Sequence, residues 1–243
     1  MKIIAHRGGK IGKENSLETL TIAARMDTYA VECDIRRTKD GVYVIYHDDN
    51  LSRLAGYDAT VSGVTYSEMC SLMAKNGREV LTFEELKKGY KEETPILLHI
   101  KLKDYDNEFA KYIAESGLPI IAGVVSLDML KSFSQYLPSE RILAFMPDYK
   151  MAEDFYKGGA GILRLWEHWL DDIKPKDVKK QCPNAQVFIM ASNLQGKFHE
   201  GIPLEWMDGS YESLDKCYSL GADGVLLNDI EMAFKWKSDK GLK

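Results

Sequence analysis

Cysteine is scarce in this chain, with four residues, Cys33, Cys70, Cys182 and Cys217, lying far apart and never in a Cys-x-x-Cys spacing. That excludes a disulfide framework and a structural zinc site, and the four read as reduced, mostly buried thiols. Long hydrophobic runs are lacking too. The longest, such as Ile120 to Val125 and Gly224 to Leu227, span only a few residues, against the ~20 needed to cross a bilayer. Stable membrane insertion is therefore not expected. There is no excess of positive charge, since 32 Lys and Arg stand against 37 Asp and Glu, for a net charge of -5 and a pI near 5.6. Duplex nucleic acid or an anionic membrane requires a positive face, so neither is an expected partner. The opening Met1-Lys2-Ile3-Ile4-Ala5-His6 runs into a polar segment with no apolar h-region, and the expected location is the cytoplasm.

What is present is ordinary globular usage, 45% hydrophobic and 28% charged over 243 residues. This composition excludes disordered, collagen-like and coiled-coil chains and suits one large α/β domain, taken as residues 1–243. Eight short apolar, β-branched runs recur: Ile3 to Ala5, Val31 to Ile35, Ile96 to Ile100, Ile120 to Val125, Ile142 to Phe145, Ile162 to Leu165, Val187 to Met190 and Val225 to Leu227. Between most of them lie helically spaced sets such as Leu17-Leu20-Ala24, Phe109-Tyr112-Ile113, Leu127-Leu130-Phe133 and Leu214-Cys217-Leu220. The alternation predicts a (β/α)8 TIM barrel, with a doubly wound open sheet as the alternative. The interval from Val31 to Ile96 is too long for one unit. Val42 to Tyr46 follows Lys39-Asp40-Gly41, a turn that predicts an antiparallel hairpin partner for the second strand. The remainder, about 51–93, is a small insertion with two helix starts, at Ser67 and Thr82 acting as N-caps.

In a parallel barrel the chemistry sits where strands end at their carboxyl side, so the polar residues closing each run are the candidates. The first run ends in His6-Arg7-Gly8-Gly9. The second carries Glu32 and Asp34, its hairpin partner ends in His47-Asp48, and the third carries His99 and Lys101. Residues two apart on a strand share a face, so Glu32 pairs with Asp34 and His99 with Lys101. Taken singly, each has an ordinary explanation; His199, for one, is read as a surface or core residue. Their convergence on four strand ends is harder to explain structurally, because charged groups in a barrel mouth need partners or a ligand. Two acids on a rigid strand suit a hard divalent cation. The planar fork of Arg7 suits phosphate, and two near-neutral histidines can serve as general base and general acid. Together these would cleave a phosphodiester.

Ile4-Ala5-His6-Arg7-Gly8, Glu14-Asn15-Ser16, Glu32-Cys33-Asp34, Thr38-Lys39-Asp40-Gly41 and His47-Asp48, in that order and spacing, resemble the glycerophosphodiester phosphodiesterase family. Weaker similarity continues through Ile100-Lys101, Val125-Ser126, Gly221-Ala222-Asp223-Gly224 and Asn228-Asp229. The resemblance implies a phospholipase-C-like barrel that uses Mg or Ca to hydrolyse small glycerophosphodiesters to glycerol phosphate and an alcohol. It implies that His6 and His47 are the acid/base pair, that Arg7, Lys101 and Asn15 contact substrate, and that Glu32 and Asp34 bind metal. Two positions depart from the family pattern. His99 stands where the family has a third carboxylate ligand, so that either His99 ligates a borderline metal such as Mn or Zn or, as favoured by the nearby Lys101 charge, it stands back and a water fills the place. Ile189-Met190-Ala191 replaces a Trp-Thr pair, and Trp166 and Trp169, at and after the end of the run that holds Arg164, either substitute for the lost aromatic wall or, as is commoner for Trp, serve packing alone. Two other functions share these residues: transfer to an internal hydroxyl with release of a cyclic phosphate, and a barrel that binds a phosphorylated ligand without turnover. Oligomeric state is not legible.

Overall fold

The computed structural model describes residues 1–192 and 207–242, so His199 lies outside the described residues. The strands are β1 (Lys2–Ala5), β2 (Ala30–Arg37), β3 (Tyr43–Ile45), β4 (Ile96–Ile100), β5 (Ile120–Val124), β6 (Ile142–Phe145), β7 (Ile162–Trp166), β8 (Gln186–Met190) and β9 (Gly224–Leu227). Each contains or overlaps one of the apolar runs. β1 pairs in parallel with both β2 and β9, which closes the sheet and excludes the open doubly wound alternative. β3 is the one antiparallel member, joined to β2 with Ile35 opposite Ile45, so the eight parallel strands form a (β/α)8 barrel.

Strand alternation divides the core. Ile4, Ala30, Leu97, Leu143, Phe145, Ile162, Phe188 and Leu226 fill the barrel interior, while Val31, Cys33, Ile35, Leu98, Ile100, Leu163 and Leu227 face the surrounding helices. The period of two therefore carries Glu32 and Asp34 inward above Ala30, His99 and Lys101 inward above Leu97, and Arg164 inward above Ile162. Helix starts follow ordinary capping chemistry. Ser16 accepts from the Thr19 N–H ahead of α1 (Leu17–Arg25), and Asp106 from Phe109 N–H.

The insertion holds α2 (Ser52–Ala55), α3 (Tyr66–Ala74) and α4 (Phe83–Gly89). Thr82 caps α4 as expected, but α3 is capped by Thr65 rather than Ser67. The reason is the capping box: Glu68 stands three residues after Thr65, and its carboxylate returns to the Thr65 N–H. A small separate core of Val44, Leu51, Leu54, Val61, Met69 and Met73 ties the insertion to β3. The four thiols are free and three of them are buried. No helix is long and apolar enough to cross a membrane among the described residues.

Candidate active site

The first strand delivers its polar residues through a sharp turn. Arg7 has φ +53 and Gly8 φ +86, and a Cβ on Gly8 would lie 2.8 Å from the Thr19 methyl, so only glycine fits there. The turn aims the Arg7 N–H at Glu32 Oε2, 2.8 Å away, while its guanidinium donates to Glu14 at 2.7 Å and its Nε lies 3.9 Å from Asp34. That Nε is buried without a hydrogen-bond acceptor. His6 places Nδ1 2.8 Å from Asn228 Oδ1 and Nε2 4.0 Å from Glu32. Because the Asn228 amide nitrogen donates to Asp208, the Asn228 oxygen faces His6 and accepts from Nδ1–H. Nε2 is then the free lone pair.

Glu32 and Asp34 are almost fully buried. Asp34 sits at the centre: Asn15 donates to it at 3.2 Å, and its Oδ1 lies 3.1 Å from Lys101 Nζ and 3.2 Å from His99 Nδ1, close but out of hydrogen-bond alignment. His99 Nδ1 is also 3.8 Å from Glu32. One ligand atom each from Glu32, Asp34 and His99 fall within 4.8 Å of one another. His99 is held by the Phe145 ring, stacked at 3.9 Å. The intervening strand makes room with Gly123, where a Cβ would lie 2.5 Å from that ring. His47 follows β3, its Nδ1 2.6 Å from Asp48 Oδ1. Arg53, from the insertion, donates to Asp48 at 2.6 Å and also pairs with Glu14. Arg36 donates to the His47 carbonyl and pairs with Asp49, not with the buried acids.

Burial sets the charge states. It pushes Glu32 up to about 8, with the neighbouring Asp34 charge adding to the rise. Burial acts upward on Asp34 as well, but Lys101, His47 and His99 outweigh it and hold Asp34 well below the usual range. Burial lowers His6 well below 6.5, helped by the Arg7 charge, and lowers His47 and, to about 4, His99. His6 and His99 are therefore neutral at neutral pH and can accept a proton or a metal, whereas on His47 the Asp34 and Asp48 carboxylates act against burial and favour the protonated ring.

All eight residues anticipated from the sequence, His6, Arg7, Asn15, Glu32, Asp34, His47, His99 and Lys101, thus meet at one barrel mouth. Beside them a cavity of about 1100 Å³ opens toward the insertion, lined by Glu14, Asn15, Tyr46, His47 and Arg78. Three participants escaped the sequence reading. Asn228 follows β9 directly and could have been found by the same strand-end rule. Arg53 lies in the insertion, where nothing in the sequence marks it. Arg164, two positions after Ile162 on one strand, shares its inward face and could have been found by the period of two, and only packing shows that its donors lack an acceptor.

The closed barrel and this cluster define a (β/α)8 protein with an acidic, histidine-flanked mouth. A profile of the glycerophosphoryl diester phosphodiesterase family matches residues 6–197, and the chain belongs to that family. The glycerophosphodiester phosphodiesterase of Caldanaerobacter subterraneus subsp. tengcongensis is 24% identical over 237 residues, covering 94% of each chain. YhdW of Bacillus subtilis is 30% identical over 109 residues, which span 42% of this chain and 45% of that protein. Among solved structures, a phosphodiesterase of Oleispira antarctica in complex with the product sn-glycerol-3-phosphate superposes with a TM-score of 0.73 at 18% identity, over 98% of this chain and 97% of that one. A glycerophosphodiester phosphodiesterase of Thermotoga maritima gives 0.70 at 21% identity over 96% of both.

Proposed function

We propose that the protein, as one barrel domain of residues 1–243, hydrolyses small glycerophosphodiesters to glycerol phosphate and an alcohol in a divalent-cation-dependent reaction. The observation that carries this reading is the meeting of His6 and His47 with the Glu32, Asp34 and His99 donor cluster at one barrel mouth. The donors fit a cation: two buried carboxylates, one with an oxygen left out of hydrogen-bond alignment, and a neutral imidazole directed at both. Mg or Ca is the expected ion, and such an ion would offset the charge on phosphorus and lower the barrier to attack. His99 Nδ1 stands so close to Asp34 that the geometry favours His99 as the third ligand over a water in its place, which makes the site more hospitable to a borderline ion such as Mn.

The chain's own residues supply the rest. The unpaired Nε of Arg7 and the Lys101 ammonium are the donors for the phosphate oxygens, and Asn15 orients Asp34 beside them. His6, neutral with Nε2 free, takes the proton from the attacking water. The bond from phosphorus to the alcohol oxygen then breaks. His47, whose Nδ1–H is oriented by Asp48, is the group better placed to hold a proton and gives it to the leaving alkoxide. The test is turnover of glycerophosphodiesters by His6→Ala and His47→Ala with the fold verified. Loss of about two orders of magnitude or more in each supports the assignment, and near wild-type rates in either removes that residue from it.

A further inference from the structure

Among the described residues, one buried cation at the barrel mouth, Arg164, lacks a counter-ion. Arg7 has Glu14, Arg53 has Glu14 and Asp48, Lys101 has Asp34, and Arg36 has Asp49. Arg164 on β7 is 5% exposed and makes no hydrogen bond or ion pair among the described residues; its Nε and Nη1 are buried without an acceptor. Burial pulls its guanidinium down to about 9, with no carboxylate acting in the other direction. Its carbon lies 4.2 Å from the Trp166 ring centre, 5.1 Å from that of Phe145 and 5.9 Å from that of Trp169. Aromatic faces hold a guanidinium plane in position but leave the N–H groups at its edge unsatisfied. A buried cation kept in this state is costly unless an anion arrives to meet it.

Its place in the fold says which anion. Phe145 stacks on His99 across Gly123, and Arg164 packs on Phe145 from the next strand. Arg164 thus stands one aromatic ring beyond the carboxylate cluster, on the side away from β3 and the insertion. A phosphodiester centred on the cluster extends two arms from phosphorus, one of them glycerol, which is uncharged. Resting on the catalytic reading above, we propose that Arg164 is a specificity-determining residue that receives a second anionic group, a carboxylate or phosphate, carried on the alcohol arm of the substrate. Each of these two unsatisfied donors is one arm of a guanidinium fork completed by Nη2, and either fork matches such an anion in bidentate fashion. The same arrangement disfavours a choline head group, because the Trp166 face that would hold a quaternary ammonium is covered by a guanidinium of like charge.

The test compares four glycerophosphodiesters, named by the charge of the alcohol arm: glycerophosphoglycolate with a carboxylate, glycerophosphoinositol phosphate with a phosphate, neutral glycerophosphoglycerol and cationic glycerophosphocholine. Affinity is measured by calorimetry on the His6→Ala, His47→Ala double variant in excess Mg, with and without Arg164→Met, and kcat/KM is measured on the corresponding proteins with both histidines intact. At least one anionic substrate is expected to be favoured ~10- to 100-fold over the neutral one, with choline last, and the ranking should collapse in Arg164→Met. Arg164→Lys, which keeps the charge but not the fork, should retain part of the preference. A preference for the carboxylate over the phosphate substrate, or the reverse, identifies the anion. An equal loss on all four substrates would place Arg164 at the scissile phosphate and overturn the proposal, as would an unchanged ranking. Turnover without charge preference defeats this inference alone; charge preference in binding without turnover defeats the catalytic reading alone. The wild-type ranking decides the matter even if a variant does not fold.

Discussion

Replacing Glu32 by glutamine removes a group that the fold holds against its own stability. Burial, and then the neighbouring Asp34 charge, raise the Glu32 carboxyl from an ordinary 4.5 to about 8. A folded value above the unfolded one means that the native state retains a proton which the unfolded chain has released. The stabilisation is fully present below pH 4.5 and is lost as pH rises through about 8. At about 1.4 kcal/mol per pH unit, about 3 kcal/mol has gone by pH 7. Glutamine cannot ionise, and its carbonyl can still accept the Arg7 N–H that Glu32 Oε2 accepts at 2.8 Å. Metal-free Glu32→Gln is therefore expected to be more stable than wild type at pH 7 by about 3 kcal/mol, or roughly 6 to 12 °C in Tm for a chain of this size, and nearly equal to it at pH 5. Thermal and denaturant unfolding in excess chelator across pH 5 to 8 measures this. Added Mg should narrow the gap, because the wild type gains from the ligand and the variant does not. A variant less stable than wild type at pH 7, or a difference independent of pH, would refute the argument that the Glu32 charge is an unfavourable buried one kept for function.

His6→Ala and His47→Ala should each lower kcat by ~10²- to 10⁴-fold with unchanged Tm, and because burial lowers the imidazole of His6, the general base, well below 6.5, the acid limb of the pH–rate profile should lie below that pH. His99→Glu adds a hard oxygen and a charge beside Glu32 and Asp34, and should tighten Mg or Ca binding in a calorimetric titration; unchanged affinity would put His99 outside the metal shell. Gly123→Ala would set a Cβ 2.5 Å from the Phe145 ring and 3.1 Å from the His99 backbone. It should cost ~1–3 kcal/mol of stability by denaturant unfolding and weaken Mn affinity through His99, and a neutral outcome in both would show that the stacking does not position His99.

The barrel was legible because its strands are buried on both faces and read as continuous apolar runs, and because the interruptions of those runs by Glu32, Asp34, His99 and Lys101 fall on the inward positions. The helix cap at Thr65 was misplaced by two residues, since Ser67 also stands before an apolar run and only the reach of Glu68 decides between them. Arg53 could not be read, because Glu14 lies 39 positions away in sequence and Asp48, though only five positions away, meets it only through the path the chain takes into the insertion. The isolation of Arg164 was equally hidden. It depends on three neighbouring strands presenting Phe145, Trp166 and no carboxylate at one level of the barrel.

The central claim is hydrolysis of a glycerophosphodiester by this cluster, and phosphorus NMR of the reaction products tests it most directly. With Mg or Ca present, the account predicts that the diester signal gives way to that of glycerol phosphate as a monoester, that excess chelator stops the conversion, and that returning the ion restores it. A five-membered cyclic phosphate as the end product, undiminished conversion in chelator, or an unchanged diester signal with the ion supplied would contradict it.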